Sequence, residues 1–157
     1  MSEYRAEISW QRAGEPFVDG KFGRKHAWTF DGGVTVPASS SPDVVPEPMS
    51  DGRAVDPEEA LVAALSSCHM LWFLAIAASR GHVVDSYRDE PFGIMEAIGG
   101  GKRAITRITL RPEVRFGGAA SPATDEIKAM HRKAHENCFI ANSIKSEVVL
   151  SPVVPEA

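Results

Sequence analysis

The chain is poor in cysteine, in excess charge of one sign and in phosphate-binding signatures. It has only two cysteines in 157 residues, too few for the disulfide framework of a small secreted domain. Its formal net charge is −4 and its Lys and Arg residues form no stripe. The clustered cations that grip phosphates are missing, so no nucleic-acid partner is expected. Met1-Ser2-Glu3-Tyr4-Arg5 is not a basic stretch followed by an apolar run. No secretory signal is read there, and a cytoplasmic location is expected. Gly99-Gly100-Gly101-Lys102 lacks the full phosphate-loop pattern, and neither a G-x-S-x-G elbow nor a dinucleotide-binding fingerprint occurs. No cofactor is expected, and no internal repeat is visible.

What is present suits one soluble globular domain over residues 1–157, with 43% hydrophobic and 24% charged residues. Ala60 to Ala78 is long and apolar enough to cross a bilayer. However, Ser66, Ser67, Cys68 and His69 sit in its middle and much of the rest is Ala. It reads as a central helix apolar on all sides, hence buried, and no membrane is expected.

Tyr4, Ala6, Ile8 and Trp10 alternate as a half-buried strand. His26–Phe30 alternates up to Asp31-Gly32-Gly33, a hairpin signal, and Val34-Thr35-Val36 returns. Residues 37–53, with Pro37, Pro42, Pro46 and Pro48, predict a long ordered loop. Asp56-Pro57-Glu58-Glu59 opens the main helix: Asp56 as N-cap, Pro57 in the first turn, and two carboxylates at the positive end of the dipole. The helix should run to about Ser79, with Gly81 ending it. Strands follow over 82–90 and 92–98. Residues 104–116 alternate around Pro112, which suggests an edge or a bulge. A second helix is expected over about 124–137, with Thr124 as candidate N-cap and Ile127, Met130 and Ala134 as its apolar stripe. Residues 146–150 form a last strand before a Pro-containing tail. Strands, long helix, strands, helix and strand, without regular βαβ alternation, predict an α+β fold with an antiparallel sheet.

The chemistry centres on cysteine. Cys68 lies mid-helix, where a free Cys commonly packs as a small hydrophobe. Its neighbours make a polar island on an oily helix, and buried polar groups need partners. Cys138 follows the second helix. Two thiols suit a peroxidatic and resolving pair: a thiolate attacks an O–O bond, and a second thiol traps the sulfenic acid as a disulfide. Attack requires the thiolate, which a nearby cation favours. Glu58 lies ten residues before Cys68, about 15 Å along a helix axis, so it cannot touch Cys68 within that helix. It can compensate the dipole, or orient an Arg that reaches over the thiol. His131, His135 and Cys138, with Cys68 or His69, could alternatively be part of a zinc site.

Two segments carry a resemblance. Asp56 to Cys68, DPEEALVAALSSC, resembles the P-E-E-L-x-x-A-A-x-x-x-C helix of the OsmC/Ohr family. Ala134 to Ser143, AHENCFIANS, resembles that family's second motif, A-H-x-x-C-P-x-S. The resemblance implies an OsmC-like fold forming an intertwined homodimer with shared sites. It also implies a thiol-dependent peroxidase that reduces organic hydroperoxides or hydrogen peroxide. Cys68 would be the peroxidatic and Cys138 the resolving thiol, joined as a disulfide after turnover. Glu58 would pair with the activating Arg, for which Arg24 is first choice and Arg53 second. A dithiol of lipoyl type would be the reductant. The chain departs from the pattern at Phe139, where the family has Pro, and at His69, where Phe is common. Both put the preferred peroxide and reductant in question. The competing readings are an OsmC-like zinc- or ligand-binding dimer without peroxidase activity, and a structural dimer with inert cysteines.

Overall fold

The computed structural model describes residues 1–118 and 121–154. The chain divides into two units, Met1–Ala60 and Leu61–Ala157. The expected Pro-containing tail is described as far as residue 154, and its last three residues lie outside the described range.

The first unit is an antiparallel meander of β1 (Ala6–Ser9), β2 (His26–Phe30) and β3 (Thr35–Ala38). At the β2–β3 turn the Phe30 amide donates to the Val34 carbonyl at 2.9 Å. Gly33 takes φ 84° there, a conformation open to glycine and strained for other residues. The expected burial of β1 does not hold: the whole strand is exposed, with Ile8 and Tyr4 in the open. Alternation prepares a face for packing without saying that anything covers it. The Pro-rich segment is ordered as expected. The Arg24 amide donates to Met49 O at 2.7 Å, and the Asp51 amide to the buried Ser39 Oγ at 3.0 Å. Asp51 also pairs with Lys25 at 2.8 Å and with Arg53 at 3.0 Å.

Helix α1 (Pro57–Ser79) starts as the sequence predicts. The Glu59 amide donates to Asp56 Oδ1 at 2.8 Å and the Asp56 amide to Glu59 Oε1 at 3.0 Å, a reciprocal capping box. At its end Gly81 takes φ 79° and the His82 amide donates to Ala77 O at 3.0 Å.

In the second unit, β4 (Val83–Arg88) pairs antiparallel with β7 (Glu113–Gly117), and β5 (Phe92–Gly99) pairs antiparallel with β6 (Lys102–Leu110). The alternating run 104–116 is therefore two strands in two sheets. Pro112 marks the change between them, because it cannot donate to a ladder. After α2 (Thr124–Asn137) and a 3-10 turn (Ala141–Ser143), β8 (Glu147–Leu150) lies parallel to β6. The fold is α+β, and its pairing is antiparallel apart from β8 and two isolated parallel bridges. At α2, Thr124 is the first helical residue. Ala123 holds the N-cap position and offers no side-chain cap.

The core of this unit has two clusters. Val62 and Leu65 meet Ile108, Leu110 and Cys138, and Phe73 and Ala77 meet Ile127, Met130 and Ala134. Helix α1 is thus not covered all round. Val62, Leu65, Ser66, His69, Phe73 and Ala77 are buried, whereas Ala64, Ser67, Leu71, Ala75 and Ala78 form an open apolar stripe. The two sheets and α2 can reach only one side of one helix.

Candidate active site

The polar island of α1 resolves residue by residue. Ser66 is buried and donates from Oγ to Asp89 Oδ2 at 2.6 Å, while the other carboxylate oxygen of Asp89 accepts from the Arg111 amide at 2.6 Å. Asp89 thereby ties α1 to the chain just before Pro112. His69 is buried against His131 of α2, with Nε2 3.0 Å from Nδ1 and the rings nearly parallel. One ring must donate and the other accept. Burial holds both below the ordinary histidine value, His69 at about 4 and His131 at about 3, so both are neutral near pH 7. Phe73 stacks on His131 at 4.2 Å. Ser67 faces outwards.

Cys68 is half-buried and Cys138 fully buried, both as free thiols. Cys68 packs against the core cluster that contains Cys138, and its side chain lies near enough to act on the Cys138 thiol. Cys138 is the residue at which α2 ends, and its amide bonds back to His135 O at 3.2 Å. The following turn is tied down. Asn142 donates from its amide and from Nδ2 to Cys138 O, each at 3.0 Å, and Ser143 Oγ donates to Phe139 O at 2.7 Å. The Ala141 amide points at Cys138 Sγ at 3.4 Å. Burial, and next the Cys68 side chain, push the Cys138 thiol up to about 11, so it is protonated at neutral pH.

Cys68 opens on an apolar cleft of about 300 Å³ lined by Leu71, Trp72, Ala75 and Phe139. This is the lower end of the size that holds small molecules. Cys68, Leu71, Trp72 and Ala75 follow one another at helical spacing on α1. Of the apolar residues following Cys68, Trp72 lines the cleft, and Phe73 turns to the opposite side and is core. Phe139, Leu71 and Ala75 were not singled out by the sequence as lining residues. The i, i+3, i+4, i+7 spacing from Cys68 would have found the two on the helix.

Arg24 and Glu58 lie in the first unit, where they line a second cleft of about 280 Å³ with Trp10, Phe22, His26, Ser39, Ser40 and Pro57. No ion pair joins them among the described residues. The Arg24 guanidinium donates to Phe22 O and, at 3.0 Å, to Gly20 O, and lies 3.6 Å over the Phe22 ring. Arg53 makes two bonds to Asp51, at 3.0 and 3.1 Å, which with Lys25 hold that carboxylate well below its usual range. Among the described residues no three His, Cys, Asp or Glu side chains gather as a metal site. His131 gives Nδ1 to the bond with His69, while His131 Nε2 and His135 Nδ1 have no hydrogen-bond partner among the described residues.

The model of the OsmC-like protein family matches residues 50–152, which include both cysteines and both motifs. The chain belongs to that family. The solved structure of an OsmC-like protein of unknown function from Vibrio cholerae is 50% identical and superposes with a TM-score of 0.95 over 98% of this chain and 100% of that one. Two more distant structures share the fold. An organic hydroperoxide resistance protein from Legionella pneumophila has 16% identity and a TM-score of 0.70, over 98% of each chain. The organic hydroperoxide resistance protein OhrB of Bacillus subtilis has 17% identity and a TM-score of 0.66, over 96% of this chain and 98% of that one. No curated protein matches the sequence.

Proposed function

We propose that this chain is a cysteine-based peroxidase that reduces organic hydroperoxides through a Cys68 sulfenic acid and a Cys68–Cys138 disulfide. The observation that carries the reading is the nearness of two free thiols, one buried in the core cluster and one packed against that cluster and opening on an apolar cleft. In the first step Cys68 thiolate attacks the terminal oxygen of the hydroperoxide. An S–O bond forms, the O–O bond breaks, and the alkoxide takes up a proton and leaves as the alcohol. In the second step the Cys138 sulfur displaces the hydroxyl, which departs as water, and a disulfide forms. A dithiol, of lipoyl type if the family resemblance extends so far, returns both thiols. Arg24 is the cation proposed to favour the thiolate, oriented by Glu58, with Arg53 as the alternative.

The open stripe of α1 supports a homodimer. Ala64, Ser67, Leu71 and Ala78 offer small and apolar side chains on one helix face, a surface that a two-fold partner can cover. The cleft borders that stripe on the Cys68 and Trp72 side, so a partner there would flank the thiol.

Thiol substitution tests the chemistry. Cys68→Ser should lose peroxide consumption altogether. Cys138→Ser should react once and then pass to the sulfinic acid, seen as stepwise gains of oxygen in intact mass. Unchanged initial rates in Cys68→Ser would overturn the assignment. Arg24→Ala and Glu58→Ala should slow the first step by a similar factor if the two act as a pair; slowing by Arg53→Ala instead would move the role to Arg53.

A further inference from the structure

Disulfide formation needs a proton acceptor that the two thiols do not supply. Cys138 is fully buried and its thiol is pushed up to about 11, so it is protonated near pH 7. The thiolate is the attacking form. The Ala141 amide points at Cys138 Sγ at 3.4 Å and favours negative charge there, but it cannot remove the proton. His135 stands three residues before Cys138, one turn back on the same face of α2. The residue is half-buried, and its Nδ1 is buried with no hydrogen-bond partner among the described residues. Buried polar atoms are ordinarily paired, so an unpaired one calls for a role. With the ring proton on Nε2, Nδ1 is a free acceptor. His135 also lies in the last turn of α2, where the carbonyl end of the helix favours a positive charge. The neighbouring histidines are less suited. His69 and His131 bond each other at 3.0 Å, and burial holds them at about 4 and about 3, which makes both weak proton acceptors.

We infer that His135 is the proton acceptor that makes Cys138 reactive when the disulfide forms. The inference rests on the peroxidase reading and adds to it the base of the second step. The proton on Cys138 Sγ passes to His135 Nδ1 as the sulfur attacks the Cys68 sulfenic acid. The S–S bond forms and the S–O bond breaks. The departing hydroxide takes the proton from the imidazolium and leaves as water, so His135 ends neutral, as it began. Cys138 takes no part in the first step, so His135 bears only on the second. There it decides between two fates of the sulfenic acid: capture by Cys138, or reaction with a second hydroperoxide to give the sulfinic acid. Several titratable groups surround His135. His69 of α1 is near enough to feel its charge, and Cys68 beside it is by then a sulfenic acid. On α2, His131 and Cys138 lie about one turn to either side, while Arg132 and Glu136 are exposed. Tyr87 of β4 packs near His131, with ring centroids 6.4 Å apart, and burial keeps its phenol protonated. Asp89 is taken up by Ser66 and the Arg111 amide.

The test follows single turnovers of reduced wild type, His135→Gln and His135→Asn with cumene hydroperoxide. Samples are quenched with a thiol-alkylating reagent and read by intact mass. Peroxide loss in the first step should be the same in all three. Disulfide formation should slow by about a hundredfold in both variants, the lower end of what a positioned base contributes. With excess peroxide the sulfinic acid should accumulate in the variants at the expense of the disulfide. The pH profile separates a base from a merely structural residue. In the variants disulfide formation should rise about tenfold per pH unit, because only the thiolate fraction of a thiol held at about 11 reacts. In wild type the rise should level off after one ionisation that both variants lack. A structural defect would instead lower the rate equally at every pH. Circular dichroism checks the fold, and the wild-type profile decides by itself if neither variant folds. Disulfide formation in wild type that rises tenfold per unit throughout, or variants that match wild type in rate and profile, overturn the inference alone. A wild type that consumes no hydroperoxide, or forms no Cys68–Cys138 disulfide, overturns the peroxidase reading and the inference with it.

Discussion

The two faces of α1 are made of much the same residue types and meet different surroundings. On one, Leu65, His69, Phe73 and Ala77 are sealed against sheet and α2, and His69 bonds His131 through Nε2. On the other, Ala64, Leu71 and Ala75 are open, and Cys68 and Trp72 stand where the open stripe meets the packed one. Apolar composition therefore does not separate a core from a reactive cleft. What separates them is which residues the second helix and the sheets can reach. Cys68 sits on the boundary, with a buried thiol behind it and an accessible apolar space in front. That is the position the proposed reaction asks of an attacking thiol: a second thiol close behind it and an apolar approach in front.

Substitutions on the two faces should separate sharply. The largest loss of stability is expected for Phe73→Ala, which removes a fully buried ring packed against Tyr87, Phe116 and His131. It should cost about 3–5 kcal/mol in urea unfolding. A loss under about 1 kcal/mol would show that the packed face is loosely filled.

The buried histidine pair should make the same face sensitive to acid. Both rings are held below the ordinary value of 6.5, at about 4 for His69 and about 3 for His131. As pH falls below about 6.5, the unfolded chain binds protons that the folded chain refuses. Stability from this pair is therefore complete above about pH 6.5 and is lost as pH drops through about 4 and then about 3. Urea midpoints from neutral to acid pH measure it, and His131→Gln should flatten the fall. Midpoints that rise on acidification would contradict the neutral pair.

The smallest effect belongs to the open face. In the single chain Leu71 is 60% exposed, so Leu71→Ala should shift unfolding of the monomer by about 1 kcal/mol or less. Leu71→Asp should instead act on association, moving light-scattering mass towards the monomer. A Leu71→Ala loss equal to that of Phe73→Ala would erase the distinction between the faces.

Much of the fold was legible because local chemistry decides it. The Asp56 and Glu59 cap, the glycine end at Gly81 and the Asp31-Gly32-Gly33 turn are short-range arrangements that residue types specify. The apolar stripe of α2 was legible from helical periodicity. What was not legible depends on contacts distant in sequence. Nothing near Pro112 says that the strand after it joins another sheet, or that β8 runs parallel to β6. No property of α1 says which of its faces finds cover. Two motifs name Cys68 and Cys138 as a pair, but their spacing along the chain does not say that they meet. The His69–His131 bond and the Trp72–Phe139 wall each join residues more than sixty positions apart, which no local pattern announces.

The central claim is that Cys68 and Cys138 form one redox unit. The most direct measurement is to treat fully reduced protein with one equivalent of cumene hydroperoxide and to record free thiols and intact mass. The account predicts that both thiols disappear together, that the mass falls by two hydrogens, and that a dithiol reverses both changes. Two thiols still titrating at unchanged mass would contradict it.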